Sequence, residues 1–151
     1  MSRWPRGEAE IEQLIATKQL QQVIGGQANG AHLLQKASRT LETAGDIADQ
    51  DPDSAYVLVY DAARYAGTAI LAHQGLRPTT SGGHYALEVA LRAQFGDGFR
   101  PFGALRRRRN ELEYPSVPGE TTTHEETRKA IHDAEALLAA AQQLLPTLSI
   151  F

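Results

Sequence analysis

The segment AYVLVYDAARYAGTAILAHQG, Ala55 to Gly75, is the most apolar stretch of the chain, and it decides the fold class that the sequence predicts. The residues YVLVY alone would suit a β-strand, but the length of the segment and its many alanines favour a helix. Gly75 suits the left-handed position that follows a helix, and either Asp53 or Ser54 suits the N-cap. We therefore predict one long central helix with a broad apolar side.

Five further segments carry apolar residues at helical spacing, and short loops connect them. Thr123 and Glu126 form the pattern of a capping box at the start of the last segment. No segment has a convincing strand pattern. The sequence thus predicts a single all-α domain over residues 1–151, an antiparallel bundle of five to six helices with no sheet. The five segments are residues 8–24, 31–48, 84–95, 100–114 and 125 to about 145.

The charge of the chain restricts where a nucleic acid could bind. The 151 residues carry a formal net charge of −3, so a basic nucleic-acid surface must be local. The chain has no cysteine, which excludes disulfides and thiolate metal sites, and its histidines lack metal-ligand spacing. We expect no metal and no other cofactor. The polar N-terminal region and the lack of a long apolar run predict a cytoplasmic protein with no membrane association.

The stretch RRRRNELEYP, Arg106 to Pro115, places four consecutive arginines on one predicted helix. Projection at about 100° per residue puts Arg109 in the middle of the apolar stripe of that helix, one turn after Leu105. The same projection puts Arg107 and Arg108 on the solvent side and Arg106 at the edge of the stripe. We therefore expect Arg109 to be partly buried, and Arg107 and Arg108 to be solvated.

A buried guanidinium keeps its charge and needs a carboxylate, a phosphate or several carbonyl oxygens as partners. Glu113, four residues after Arg109, is one candidate partner, and Asp61 on the central helix is another. The alternative is that Arg109 faces a symmetric partner subunit or an anionic ligand. Tyr114 could turn back towards Arg109, because the following proline disfavours helical geometry at that position.

Two other polar groups each have two interpretations. Asp61 and Arg64 stand three residues apart on the polar strip of the central helix, where they form a surface ion pair or line a cleft. His84 follows SGG at a predicted helix start, and Arg77 precedes it by a few residues. This region forms either an anion site or an ordinary glycine-rich loop that caps the next helix. The candidate nucleic-acid- or anion-binding residues are Arg64, Arg77, His84 and Arg106.

Four short motifs occur in order between Ala55 and Pro115: DAAR, GLRP, GGH and RRxxNxxEYP. This ordered set resembles a bacterial branch of the HEPN superfamily. The resemblance implies an all-α fold that forms homodimers, with a symmetric cleft at the dimer interface. Many members are metal-independent ribonucleases of toxin–antitoxin or defence systems. The resemblance therefore implies RNA or a nucleotide as the ligand, and an antitoxin or a nucleotidyltransferase as a protein partner.

The resemblance also implies roles for individual residues in catalysis. Arg109 matches the family arginine that binds the scissile phosphate, and Asn110 matches the residue after it. Asp61 is the candidate for the supporting polar residue on an earlier helix. Tyr114 stands where the family has a histidine.

The tyrosine at position 114 leaves the function open between alternatives. A phenol with a reference pKa of about 10 is a poor base at pH 7, whereas an imidazole exchanges protons in both directions. One interpretation is a ribonuclease in which Arg109 stabilises the transition state electrostatically. Another is a non-catalytic dimerisation or interaction module. A third is modification of Tyr114 by a partner nucleotidyltransferase.

Overall fold

The computed structural model describes residues 3–151, and it places helix α3 (Pro52–His73) at the centre of the helical bundle. Helices α2 (Ala31–Ile47), α5 (Arg100–Glu113) and α6 (His124–Leu144) pack directly against α3. The long central helix predicted from Ala55 to Gly75 is therefore confirmed. Gly75 has a φ of +73° and follows the helix end, as its sequence position predicted.

The predicted all-α helical bundle is confirmed in the part of the chain that the structure describes. Two further helices, α1 (Glu8–Ala16) and α4 (Gly83–Phe95), bring the number of described α-helices to six. The C-terminal residues fold back on the bundle, where the Phe151 amide donates to the Gln74 carbonyl oxygen at 2.8 Å. The largest fully buried apolar side chains of the core are Tyr60, Phe102, Ile11, Leu20, Ile70, Leu71, Leu76, Leu87, Leu91 and Leu137.

Helix α3 begins two to three residues earlier than the sequence predicted. Its N-cap is Asp51, whose side chain accepts from the Ser54 amide at 3.1 Å, so the predicted N-cap at Asp53 or Ser54 is wrong. Pro52 occupies the first helical position, where a missing N–H costs nothing because that group would have no helical partner. Asp53 instead accepts the amide of Thr122 at 2.7 Å and ties α3 to the start of α6.

A two-stranded sheet is present where the sequence predicted none. Strand β1 (Leu20–Gln22) pairs antiparallel with β2 (Leu76–Pro78), so the helix predicted over residues 8–24 ends at Ala16. Lys18 has a φ of +63°, which turns the chain out of the helix. The apolar residues at 20 and 23 continue a helical spacing, but pairing with β2 decides their conformation. Because β1 pairs with a distant segment, the local spacing of apolar residues does not reveal the strand.

The turn at Lys18 also fixes the loop that leads into α4. The Thr79 hydroxyl donates to the Lys18 carbonyl oxygen at 2.6 Å, and the Thr79 amide donates to the Gln19 carbonyl oxygen at 3.0 Å. A Cβ on Gly82 would lie 2.2 Å from the Gln19 carbonyl oxygen, so only glycine allows this approach. The start of α4 is thereby held beside β2 and the outer face of α3.

Gly30 precedes the first residue of α2, and Gly45 lies near its last residue. Substitution of these two glycines tests how α2 packs on α3. A Cβ on Gly30 would lie 2.1 Å from the Ala69 carbonyl oxygen of α3, whereas one on Gly45 would meet nothing within 4 Å. We expect Gly30→Ala to lower the free energy of unfolding by about 1–3 kcal/mol through overpacking. Gly45→Ala should raise it by about 0.5–1 kcal/mol through helix propensity. Urea denaturation measures both, and equal effects would contradict this packing.

Candidate anion-binding site

A cavity of about 300 Å³ lies between α3, β2 and the start of α4. Three of the four candidate anion-binding residues, Arg64, Arg77 and His84, line this one cavity. None of its lining residues is acidic, although the chain as a whole is net negative. We call it the cation cavity. The complete lining is Arg64, Thr68, Arg77, Pro78, Thr79, Thr80, Gly83, His84 and Leu87.

Arg64 lies on the α3 wall of the cation cavity with its charge only partly neutralised. Its Nη2 is 3.5 Å from the Asp61 carboxylate, so the predicted Asp61–Arg64 pair forms, but loosely. The guanidinium lies 4.5 Å from the centre of the Tyr65 ring. Its Nε is buried and has no hydrogen-bond partner in the described residues. Arg64 therefore retains charge and donor capacity for a further partner.

Arg77 reaches the cavity from β2 and is held by neutral amides. Its Nη1 donates to the Gln27 side-chain oxygen at 3.1 Å. The Gln21 amide, in the orientation that satisfies both groups, accepts from Arg77 Nε at 2.8 Å. No ion pair to Arg77 occurs between residues 3 and 151. Amides orient the guanidinium without neutralising its charge. Arg77 is therefore the cation of the cavity that has no carboxylate partner in the described residues.

His84 joins the cavity to the core through Tyr60. Its Nδ1 lies 2.8 Å from the hydroxyl oxygen of Tyr60, whose ring is fully buried and packs on Phe102. Burial of one side of the imidazole, together with the charges of Arg64 and Arg109, lowers the pKa of His84. Burial raises the pKa of Tyr60 well above its ordinary value. At pH 7, His84 is therefore neutral and Tyr60 keeps its proton.

Arg109 approaches Tyr60 from the opposite helix, α5. Its side chain is only 20% exposed, which confirms the predicted partial burial, and its Nη2 pairs with the Glu113 carboxylate at 2.9 Å. The guanidinium lies 5.8 Å from the centre of the Tyr60 ring, and its Nε is buried without a partner. Asn110 accepts from Arg109 Nη1 at 3.3 Å. Asp61 is not the partner of Arg109, because it pairs with Arg64 on its own helix.

The structure does not bring Tyr114 to Arg109. Tyr114 is 74% exposed just beyond the end of α5, and it lines a small acidic pocket with Glu111, Ser116 and Glu120. The expected return of its side chain towards Arg109 is therefore not found. Pro115 ends the helix as predicted, but the guanidinium of Arg109 is already held by Glu113 on the same helix.

The other three arginines of the run Arg106–Arg109 differ from one another. Arg107 is 61% exposed, as predicted. Arg106 pairs with the buried Glu88 of α4 at 2.9 Å. A Cβ on Gly103 would lie 2.1 Å from that carboxylate, so the glycine permits this contact. Arg106 is thus part of an α4–α5 contact and does not line the cation cavity.

The prediction that Arg108 is solvated is wrong. Its side chain is only 21% exposed and pairs with three carboxylates, at 2.9 Å to Glu111, 2.7 Å to Glu120 and 2.9 Å to Glu126. Hydrogen bonds to these carboxylates raise the pKa of Arg108 further above its ordinary value. A helical projection considers one helix alone, whereas two of the three partners come from the following loop and from α6. Arg108 therefore holds the loop between α5 and α6.

The sequence indicated no role in the site for Tyr60. The ring of Tyr60 lies in the core on α3, its hydroxyl contacts His84 on α4, and the Arg109 guanidinium on α5 lies 5.8 Å from the ring centre. Tyr60 and Arg64 form a YxxxR spacing on one helix, and His84 stands at the start of another. Such a pattern is too common to predict that the tyrosine and the histidine are in contact.

Comparison of the chain with models of protein families, with curated proteins and with solved structures gives no match. Within residues 3–151, no three histidine, aspartate or glutamate side chains form a group that could hold a metal ion. The described helices include none whose length and apolar character would let it cross a membrane. The residues that line the cation cavity are therefore the features of this chain that indicate a function.

The lowered pKa of His84 predicts how acid affects stability. The fold favours neutral His84, so its contribution is complete above the unfolded-state pKa of about 6.5. This contribution is lost as the pH falls towards the lower pKa of the folded protein. Between pH 7.5 and 5, the wild type should therefore lose more unfolding free energy than His84→Gln. Denaturation at several pH values measures this difference, and parallel curves would contradict the assignment.

Proposed function

We propose that this protein is a HEPN-type helical domain that binds the phosphates of RNA or of a nucleotide at the cation cavity. The observation that carries the proposal is the charge of the lining: the cations Arg64 and Arg77 meet, beside the neutral imidazole of His84, in one cavity that no carboxylate lines. Because the whole chain has a net charge of −3, it can bind a nucleic acid only at a local positive site, and the cation cavity is such a site.

The chemistry of the lining favours a phosphate over other anions. Guanidinium groups present several donors in a plane and match phosphate oxygens well. The hydroxyls of Thr68 and Thr80 add donors around the same space, whereas that of Thr79 already donates to the Lys18 carbonyl oxygen. Small-molecule sites usually measure about 300–1,000 Å³, so this cavity lies at the lower end of the range. A phosphate with its attached sugar is a ligand of suitable size.

Arg109 and Asn110 extend the proposed site towards α5. The Arg109 guanidinium lies 5.8 Å from the centre of the buried Tyr60 ring, and its charge acts on His84, which contacts the Tyr60 hydroxyl. Arg109 is paired with Glu113, and a phosphate would have to compete with that carboxylate. In a homodimer built across α5, a second copy of Arg109 would add charge and make the cleft symmetric. This is the arrangement that the family resemblance implies.

The wider biological context in this proposal is a cytoplasmic toxin–antitoxin or defence system, with an antitoxin or a nucleotidyltransferase as the protein partner. Metal-independent cleavage of RNA is the reaction that suits such a site. The alternative is a non-catalytic dimerisation module. The exposure of Tyr114 and the ion pair of Arg109 with Glu113 favour that alternative, because they remove two of the four expected catalytic residues from the cleft.

The salt dependence of RNA affinity tests the proposal. For single-stranded nucleic acid, each phosphate neutralised by a cation contributes about 0.7 to the slope of log K against log salt. Arg77→Ala should weaken binding of a short labelled single-stranded RNA and reduce this slope by about 0.7, because one phosphate contact is lost. Fluorescence anisotropy at several salt concentrations gives both quantities.

Arg128→Ala is the matched control, because Arg128 is exposed, lies on α6 and pairs only with the exposed Asp49. It removes the same charge from the protein and should leave the slope unchanged. Equal losses in the two variants would show that net charge alone attracts RNA. The absence of any RNA or nucleotide binding by the wild type would overturn the proposal in favour of the dimerisation module.

A further inference from the structure

We infer that His84, positioned by Tyr60, is the catalytic proton-transfer residue of the cation cavity, and that Tyr114 is not. This inference rests on the proposed function, since it concerns the reaction of RNA bound at that site. It is carried by the joint placement of one imidazole and two guanidinium groups around one cavity, with the imidazole anchored to a buried phenol.

The geometry gives His84 a fixed ring and one available nitrogen. Nδ1 is engaged with the Tyr60 hydroxyl at 2.8 Å, and no hydrogen bond to Nε2 occurs in the described part of the chain. The residue itself is exposed at the cavity wall. A general base needs this combination, because one nitrogen must be oriented while the other is accessible to substrate.

The phenol suits this positioning role because a hydroxyl both donates and accepts hydrogen bonds. When Nδ1 carries the proton, it donates to the Tyr60 oxygen, and Nε2 has a free lone pair that can accept a proton. When Nε2 carries the proton, the Tyr60 hydroxyl can donate to Nδ1. Tyr60 keeps its own proton in both cases, since burial raises its pKa. The pair therefore accommodates each tautomer that a proton-transfer cycle passes through.

The charged groups around His84 come from three elements. On α3 they are Arg64 and Asp61, on β2 Arg77 lines the same cavity, and on α5 they are Arg106 and Arg109. The cations outnumber the carboxylate, so they favour neutral imidazole in the free protein. Arg64 and Arg77, the two of these cations that line the cavity, hold the phosphate and stabilise the additional negative charge that develops as the nucleophile attacks.

The proposed step is cleavage of RNA by its own 2′-hydroxyl. Nε2 of neutral His84 accepts the proton of the 2′-hydroxyl, and the 2′-oxygen forms a bond to the adjacent phosphorus. The bond from phosphorus to the 5′-oxygen breaks, and the 5′-oxygen takes a proton from the His84 imidazolium or from water. The products are a 2′,3′-cyclic phosphate and a 5′-hydroxyl, so atoms and charge balance without a further reactant.

Tyr114 does not fit this role. It is exposed beyond α5 and shares its pocket with Glu111 and Glu120, whose carboxylates already pair with Arg108. No cationic side chain lines that pocket. The histidine that the α5 motif lacks is thus supplied by a different helix, α4.

The test compares RNA cleavage, in the presence of EDTA, by the wild type and four variants of the full chain. We expect His84→Ala to lower kcat by roughly 100- to 10,000-fold, the usual contribution of a general acid–base residue. Added imidazole should restore part of this activity. His132→Gln removes an exposed histidine outside the cavity and should cleave like the wild type. Tyr114→Phe should also retain activity.

Tyr60→Phe tests the positioning role, because it keeps the buried ring and removes only the hydroxyl. The rate of the wild type should rise with pH to a half-point below the ordinary histidine pKa of about 6.5. Tyr60→Phe should lower kcat and move this half-point while RNA affinity stays the same. A structural role for Tyr60 would change stability without moving the half-point.

The outcomes separate this inference from the proposed function. If RNA binds in an Arg77-dependent manner but is not cleaved, or if His84→Ala cleaves as fast as the wild type, the inference is wrong and the binding function stands. Loss of cleavage in Tyr114→Phe would also contradict it. If the wild type neither binds nor cleaves RNA, the proposed function itself fails. An RNA with a single 2′-deoxy position should bind but remain uncut there.

Discussion

The burial of α3 is the constraint on which the rest of the structure depends. Nearly every side chain of this helix from Ala55 to Ala72 is removed from solvent at least in part, because helices pack on it from several sides. Polar groups can occur on such a helix only where the surrounding helices leave a gap. Asp61, Arg64 and Thr68 mark that gap. The cation cavity is therefore a consequence of how α4 and β2 close over α3.

Electrostatic balance distinguishes the arginines that hold the fold from those available to a ligand. Arg106 and Arg108 are each paired with carboxylates within 3 Å, and Arg108 has three such partners. Arg64 has one loose partner, and Arg77 has only neutral amides. Arg64 is partly buried, and a desolvated cation without a close carboxylate is costly unless another anion compensates it, whereas the exposed Arg77 keeps its charge in contact with solvent. The four-arginine run on α5 is thus mainly structural, and the candidate anion-binding charge lies on α3 and β2.

Local patterns in the sequence predicted the parts of the fold that local physics determines. The helical spacing, the N-cap at Thr123 and the partial burial of Arg109 depend on one segment each, and the structure confirms them, although the Glu126 carboxylate accepts from Thr122 and Arg108. The β1–β2 pair, the partners of Arg108 and the Tyr60–His84 contact join residues from distant segments. No single-helix projection contains that information. The sequence predicted that His84 and Arg77 lie near one anion site. Only the fold shows that Arg64 lines the same cavity and that Tyr114 lines a different pocket.

The central claim is that the cation cavity is where a phosphate binds. Titration of isotopically labelled protein with adenosine monophosphate, followed by NMR chemical shifts, tests this claim most directly. The account predicts the largest changes at Arg64, at residues 77–84 and at the ring of His84, with little change around Tyr114. Changes that centre on the loop after α5, or no saturable change at all, would contradict it.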